Sequence, residues 1–273
     1  MTANNNQPDW DKIAEKFDLW LPHLAPVGEA LLTALEARSG DAILDLASGT
    51  GEPALSLARR FSGAVTITGI DAAAGMVKVA QTKVSKERLA NISFQCMAAE
   101  QLSFADNSFD RVLCRFGVML FEDPAKGLHE MYRALKPGGR FALAVWGGPE
   151  TMTTLYWAYA ALKDRLPEDK HPPLTKVTSL GLPGVLDALL QEAGFSDYRI
   201  DTHTFQYEFP SFDDYWELVE TSDILKVQYD ALMEEERTAV REEIRHLSAS
   251  CIQDDRLVVP HQYLLATGYK LAT

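Results

Sequence analysis

The feature that most constrains the fold of this chain is a regular alternation of short β-rich runs with helical stretches between residues 42 and 146. The runs are AILDLA (42–47), VTITGI (65–70), ISFQC (92–96), RVLCRF (111–116) and RFALAVW (140–146). Such alternation predicts an α/β fold with a doubly wound, mostly parallel, Rossmann-like sheet. Ligands of these sheets bind beyond the carboxyl ends of the strands, so the loop after each run is a candidate binding loop.

The rest of the chain is predicted to add flanking helices, two further strands and two insertions. The two further runs, YRIDTHTFQYEF (198–209) and QYLLATGYK (262–270), complete a seven-stranded sheet with an antiparallel C-terminal edge strand. In chain order, we predict N-terminal helices over the candidate site (1–40), the Rossmann-like core (41–148), a first cap insertion (149–180), a core helix and edge strand (181–209), a helical cap insertion (210–258) and the final core strand (259–273).

Composition excludes several classes of function. The chain has 26 Lys and Arg against 39 Asp and Glu, a formal net charge of −13 that would repel a phosphate backbone. Its 3 cysteines lack C-x-x-C spacing, which favours neither a disulfide framework nor a metal site. The first residues show no secretory signal, and no apolar run approaches membrane-spanning length. We therefore expect a cytoplasmic monomer or homodimer with a small-molecule substrate, no nucleic acid, no membrane span and no metal.

A glycine loop within ILDLASGTGEPALSLA (43–58) joins the first run to the following helix. Gly49, Gly51 and Ala54 have the G-x-G-x-x-A spacing of a dinucleotide loop, and the helix start offers free N–H groups to an anion. Asp71 ends the second run, where a carboxylate can accept both hydroxyls of a ribose. These residues suit either a dinucleotide or S-adenosylmethionine.

Asp45 discriminates between the two ligands. It lies four residues before Gly49, where it would face a pyrophosphate across a pocket of low dielectric constant. The methionine tail of S-adenosylmethionine instead offers an ammonium group and a positive sulfur. Asp45 therefore favours S-adenosylmethionine. The alternatives are an NAD-dependent oxidoreductase and a protein that binds S-adenosylmethionine without catalysis.

Five ordered motifs give the chain a resemblance to the class I S-adenosylmethionine-dependent methyltransferases, in particular the small-molecule branch that includes quinone-biosynthesis and natural-product enzymes. The motifs are DLASGTG (45–51), GIDAAAGM (69–76), AAEQLSF (98–104), FDRVLCRFGVMLF (109–121) and RALKPGGRF (133–141). The resemblance implies transfer of a methyl group to oxygen, nitrogen or carbon of a small acceptor by in-line displacement. It also implies an antiparallel strand pair at one sheet edge.

The resemblance further implies which residues hold the cofactor. Gly49 and Gly51 would line the methionine tail, and Asp71 would hold the ribose. The chain departs from the family at Glu100, which follows two alanines where Asp-Ala is common. The implied set is Asp45, Ala47, Ser48, Gly49, Gly51, Asp71, Ala72, Met76, Ala98, Ala99, Cys114 and Arg115.

The sequence identifies no clear general base. Members of this family often place a histidine just after the fourth strand, and GVMLFEDP (117–124) has none. Methyl transfer depends mainly on alignment of the reacting atoms, so a base is not required. Arg115, His23 and His171 are the candidates for a catalytic role. Candidates for an aromatic substrate pocket are Phe17, Trp20, Tyr156, Trp157 and Tyr159.

Overall fold

The computed structural model describes residues 8–272 and contains one mixed, mostly parallel sheet. Residues 1–7, at the start of the predicted N-terminal segment, and Thr273, at the end of the final one, lie outside the described residues. The strands are β1 (Ala42–Leu46), β2 (Thr66–Asp71), β3 (Ile92–Cys96), β4 (Phe109–Arg115), β5 (Leu135–Trp146), β6 (Asp197–Phe209), β7 (Ile252–Gln253) and β8 (Arg256–Tyr269).

The strand order is β3-β2-β1-β4-β5-β8-β6, with the two-residue β7 paired to β8 beside this path. The first five strands are parallel, whereas β8 is antiparallel to both β5 and β6. The predicted fold is therefore confirmed, including the antiparallel strand pair at one edge. The last long strand lies one position inside that edge, because β6 pairs along it from Asp197↔Tyr269 to Phe209↔Leu257.

Helices surround the sheet, as the alternation predicted. Helix α2 packs against β4, β5 and β6, whereas α4 packs against β2 and β3. The helices are α1 (Trp10–Phe17), α2 (Leu21–Leu35), α3 (Ala54–Phe61), α4 (Ala74–Glu87), α5 (Pro124–Ala134), α6 (Thr153–Leu162), α7 (Leu174–Val177), α8 (Val185–Glu192), α9 (Phe212–Thr221), α10 (Lys226–Tyr229) and α11 (Glu234–Ser248).

The central strands are buried on both faces. Ile43, Leu44 and Leu46 of β1 are fully buried, and so is the continuous run 141–145 of β5. Parallel strands covered on both faces read as such uninterrupted apolar runs. The same burial fixes where β1 and β4 end, and it thereby sets the positions of the loops that follow them.

The segments after β5 and after β6 contribute helices that extend the hydrophobic core beyond the sheet and its flanking helices. Helix α6 packs against α11 and β8, and α9 packs against α11, β6 and β8. Ser211 caps α9 by accepting a hydrogen bond from the backbone N–H of Asp214 at 3.2 Å. Strand β8 begins at Arg256, within the range 210–258, because its residues extend the antiparallel ladder with β6.

Candidate active site

A cavity of about 750 Å³ lies at the carboxyl ends of the parallel strands and is also bordered by α1, α6 and α9. This volume is within the range of about 300–1,000 Å³ that is usual for ligand sites. The residues of the cavity wall include twelve of those named from the sequence. They are Phe17, Trp20, Asp45, Ala47, Ser48, Gly49, Asp71, Ala72, Met76, Ala98, Ala99 and Arg115.

The glycine loop after β1 is held in place by hydrogen bonds of its backbone. The N–H of Ser48 donates to the carbonyl of Ile70 at 2.8 Å, and the N–H of Gly51 donates to the carbonyl of Ser48 at 2.9 Å. Gly51 has φ +106°, and a Cβ there would lie 2.7 Å from Leu55 Cδ1. Gly51 therefore permits close packing of the loop on α3 and does not itself form the cavity wall.

Asp71 anchors this loop from the end of β2. Its Oδ2 accepts a hydrogen bond from the N–H of Gly49 at 2.8 Å, and its Oδ1 accepts one from the N–H of Ala73 at 2.9 Å. Burial raises the pKa of this carboxyl, while the two N–H groups act in the opposite direction. Each carboxylate oxygen can accept a second hydrogen bond, so ribose hydroxyls remain possible partners.

Asp45, at the end of β1, is in a different environment. The residue is 1% exposed, and neither carboxyl oxygen accepts a hydrogen bond from any residue in the range 8–272. Burial raises the pKa of Asp45 well above its ordinary value, and the positive charge of Arg115 lowers it less strongly. An unpartnered buried carboxyl beside a ligand cavity is a fitting neighbour for the ammonium group of an amino acid.

The adenine end predicted from the resemblance lies beyond β2 and β3. Ala72 and Met76 line the cavity there, as do Ala98 and Ala99 after β3. Glu100 also lines it, and its Oε1 accepts a hydrogen bond from the backbone N–H of Glu122 at 2.8 Å. One carboxylate oxygen of Glu100 is therefore already engaged in joining the loops after β3 and β4.

The N-terminal segment closes over the glycine loop. Asp18 accepts a hydrogen bond from Thr50 Oγ1 at 2.6 Å and forms an ion pair with Lys83 Nζ at 2.7 Å. Lys83 also donates to the carbonyl of Thr50 at 2.9 Å. Asp11 accepts a hydrogen bond from the N–H of Gly75 at 2.6 Å, at the start of α4. These contacts fix α1 over the loops that follow β1 and β2.

Aromatic and aliphatic side chains form the remaining wall, and most of them were not identified from the sequence. Phe116 and Trp146 are stacked with ring centroids 3.8 Å apart and an interplanar angle of 6°. The other lining residues at this end include Met119, Met152, Thr154, Leu155, Ala158, Tyr207, Tyr215, Val219 and Leu225. The sequence indicated this region only through the ends of β4 and β5, because the other lining residues belong to segments that are distant in sequence.

Helix α6 lines the cavity with residues other than the aromatic candidates named from the sequence. Leu155 and Ala158 line the cavity, whereas Tyr156 is 41% exposed. Trp157 is buried against Tyr215, with ring centroids 6.2 Å apart. Tyr159 contacts the ring of His171 at 5.7 Å. The three aromatic residues predicted on this helix are therefore outside the cavity wall, since they occupy other faces of α6.

The remaining catalytic candidates also lie outside the wall. The ring of His23 packs 4.4 Å from that of Phe209, and burial lowers its pKa. His171 Nε2 lies 2.9 Å from the carbonyl oxygen of Leu166. Cys114, predicted as a cofactor-binding residue, is fully buried and outside the wall, and burial raises the pKa of its thiol to about 12. Arg115 is the one predicted catalytic candidate whose side chain lines the cavity.

Within residues 8–272, no group of three or more His, Cys, Asp or Glu side chains is arranged to hold a metal ion. Among the described helices, none combines the length and the apolar character needed to cross a bilayer.

Comparison with known proteins identifies the family. Residues 43–139 match the model of a methyltransferase domain. A ubiquinone/menaquinone biosynthesis C-methyltransferase from Geotalea daltonii is 44% identical over 108 residues, which are 39% of this chain and 46% of that protein. A demethylmenaquinone methyltransferase from Bacteroides fragilis is 34% identical over 176 residues, which are 60% of this chain and 71% of that protein. The chain thus spans about half the length of the first curated relatives it matches.

Solved structures show the same fold at low sequence identity. A putative methyltransferase from Bacillus halodurans superposes with a TM-score of 0.61 and 21% identity, over 89% of this chain and 98% of that one. Phosphoethanolamine N-methyltransferase 2 from Haemonchus contortus, solved with S-adenosyl-L-methionine, gives 0.58 and 20% identity over 90% of this chain and 52% of that one. The Bacteroides fragilis relative, 34% identical with 71% of its length covered, shows that the chain belongs to the class I S-adenosylmethionine-dependent methyltransferases, and the solved structures agree with it in fold.

Proposed function

We propose that this protein transfers a methyl group from S-adenosylmethionine to a small-molecule acceptor by in-line displacement. The observation that carries the proposal is Asp45, a carboxyl buried at the end of β1 with no hydrogen-bond donor among the described residues. A pyrophosphate would place further negative charge beside it, whereas an ammonium group would compensate it. This difference favours the methyl donor over a nicotinamide dinucleotide.

The residues around Asp45 support the same assignment. Gly49 and Asp71 are joined by a hydrogen bond of 2.8 Å, which orders the loop beside the site proposed for the ribose. Ala72 and Met76 offer apolar surface for the adenine ring. The cofactor, when bound, supplies an activated methyl group and its own leaving group.

The acceptor would occupy the aromatic end of the cavity. The Phe116–Trp146 stack and Tyr215 offer flat apolar surfaces, which suit a ring-containing acceptor. These side chains exclude water, and they restrict the orientation of an acceptor relative to the methyl carbon. Alignment of this kind can lower a barrier by about 7–11 kcal/mol. The names of the sequence relatives support an acceptor of the quinol type, with oxygen, nitrogen or carbon as the methylated atom.

Calorimetry with S-adenosylhomocysteine tests the cofactor assignment, because this demethylated form of the cofactor, the product of the reaction, binds without an acceptor. We expect a dissociation constant below the millimolar range and no comparable affinity for NAD. Turnover is measured with S-adenosylmethionine carrying a labelled methyl group and a panel of reduced quinones and phenols. Absence of binding by S-adenosylhomocysteine would refute the proposed function. Binding without turnover on any acceptor or on cell extract would favour a non-catalytic binding protein.

The proposal also includes the expected location and assembly. All three cysteines, Cys96, Cys114 and Cys251, are free thiols, which suits a reducing cytoplasm. We expect a monomer or a homodimer, and sedimentation at several protein concentrations distinguishes the two.

A further inference from the structure

Arg115, at the carboxyl end of β4, carries a positive charge whose N–H groups have no acceptor within residues 8–272. Its side chain lines the cavity, and no hydrogen bond or ion pair links it to a described residue. Its nearest charged groups include Asp45 and Glu52. An enclosed charge without a partner carries a desolvation cost, which a bound anion would offset.

The two nearby acids do not satisfy the guanidinium. Glu52 Oε2 accepts hydrogen bonds from Ser56 N at 3.1 Å and Ser56 Oγ at 2.7 Å, and its Oε1 accepts one from Arg59 at 2.8 Å. The oxygens of Asp45 are buried and accept no hydrogen bond from Arg115. The N–H groups of Arg115 therefore remain available to a ligand.

Two further donors line the same cavity. Trp20 and Tyr207 line it together with Arg115, and their ring centroids are 6.0 Å apart. Trp20 Nε1 is buried without an acceptor among the described residues. Burial raises the pKa of the Tyr207 hydroxyl more strongly than the positive charge of Arg115 lowers it, so Tyr207 stays protonated and can donate. Arg115, Trp20 and Tyr207 thus each offer a donor to the cavity.

We propose that Arg115, Trp20 and Tyr207 form an oxyanion subsite of the cavity that receives a carboxylate. The planar guanidinium presents parallel N–H groups that match the two oxygens of a carboxylate. Nearby donors with no protein acceptor are available to the same anion. The inference rests on the proposed function and deepens it, because the carboxylate belongs either to the amino-acid end of the cofactor or to the acceptor.

Two pairs of ligands, of which one member carries a carboxylate and the other does not, distinguish these sources by calorimetry. S-adenosylhomocysteine is compared with 5′-methylthioadenosine, which lacks the amino-acid end. In protein saturated with S-adenosylhomocysteine, 4-hydroxybenzoate is compared with the neutral 4-hydroxybenzamide. Arg115→Met is expected to weaken binding of the carboxylate-bearing ligand of one pair at least tenfold. Binding of its partner ligand without the carboxylate should weaken less than twofold. A loss of affinity for S-adenosylhomocysteine assigns the subsite to the cofactor, and a loss of affinity for 4-hydroxybenzoate assigns it to the acceptor.

Arg115→Lys and Arg199→Met serve as matched variants. Arg115→Lys keeps the charge without the fork of donors, so we expect it to recover part of the carboxylate preference. Arg199 lies on the edge strand β6 and pairs with Asp201 at 3.1 Å, so its substitution should leave both ligand pairs unchanged. The inference is overturned if wild-type protein binds S-adenosylhomocysteine and Arg115→Met alters neither carboxylate preference. Failure of wild-type protein to bind S-adenosylhomocysteine instead refutes the proposed function.

Discussion

Replacement of Asp45 by asparagine should weaken cofactor binding while stabilising the free protein. The carboxyl is 1% exposed and accepts no hydrogen bond from the described residues. An unsatisfied buried polar group costs about 1–3 kcal/mol, and more when it is charged. Asparagine has nearly the same shape and does not ionise, so it removes the cost of burying the charge or of protonating the carboxyl, and the free energy of unfolding should rise by about 1 kcal/mol or more at neutral pH.

The binding effect of Asp45→Asn has the opposite sign. A hydrogen bond to a charged group contributes about 1.5–3 kcal/mol, so loss of the carboxylate should raise the dissociation constant of S-adenosylhomocysteine about 10- to 100-fold. Calorimetry measures this change, and thermal unfolding of the ligand-free proteins measures stability. A gain of 1 kcal/mol should raise the melting temperature by about 2–4 °C for a chain of this size.

Asp71→Asn is the matched control for this substitution. Both oxygens of Asp71 accept backbone hydrogen bonds, from Gly49 at 2.8 Å and Ala73 at 2.9 Å. An amide can accept only one of them and turns an N–H group towards the other donor, so this variant should lose stability. Our reasoning would be wrong if Asp45→Asn lowered the melting temperature as Asp71→Asn does and left the affinity for S-adenosylhomocysteine unchanged.

Because the pKa of Asp45 is raised in the folded protein, this residue destabilises the fold increasingly as pH rises above its ordinary pKa of 3.8. The melting-temperature advantage of Asp45→Asn should therefore shrink on acidification. Thermal unfolding scans from pH 8 to pH 5 measure this change. Binding of an ammonium group should also release a proton from Asp45, which calorimetry in buffers of different ionisation enthalpy detects. Lys83→Met removes the contacts of Lys83 with Asp18 and Thr50, so dissociation of S-adenosylhomocysteine should accelerate about fivefold, the equivalent of about 1 kcal/mol. Lys78→Met, at an exposed position of the same helix, should leave the rate unchanged. Stopped-flow fluorescence measures both rates. Leu155→Trp should block turnover by filling the acceptor end without changing affinity for S-adenosylhomocysteine, and Tyr156→Trp should leave turnover intact; a labelled-methyl assay compares them.

The fold could be predicted from sequence because its signals are local. Each parallel strand is a short apolar run followed by a helix, and the helix–strand alternation alone specifies the layer architecture. Strand lengths were less predictable. Strand β5 begins at Leu135, five residues before the predicted run, because Leu135 pairs with Phe109 across the sheet. Such pairing depends on a partner strand that the run itself does not reveal.

The acceptor end could not be predicted in the same way. Helix α6 has the sequence TTLYWAYAAL, which is apolar around most of its circumference. Periodicity therefore does not indicate which face meets the cavity and which packs on its neighbours. Contact with α11 and β8 determines the orientation, and both elements lie far along the chain. Their large aromatic side chains made Tyr156, Trp157 and Tyr159 the predicted pocket residues, whereas Leu155 and Ala158 line the cavity.

Asp45 and Asp71 show most clearly what a strand-end pattern leaves open. Both are acidic residues at the carboxyl ends of neighbouring parallel strands, and both line the cavity. Sequence indicates their positions but not their hydrogen-bond donors, because one donor to Asp71 is the N–H of Gly49, 22 residues away. The loop turns that N–H towards Asp71 and leaves the oxygens of Asp45 unsatisfied. One carboxylate is therefore part of the scaffold that shapes the loop, and the other keeps a binding capacity that only a ligand can use.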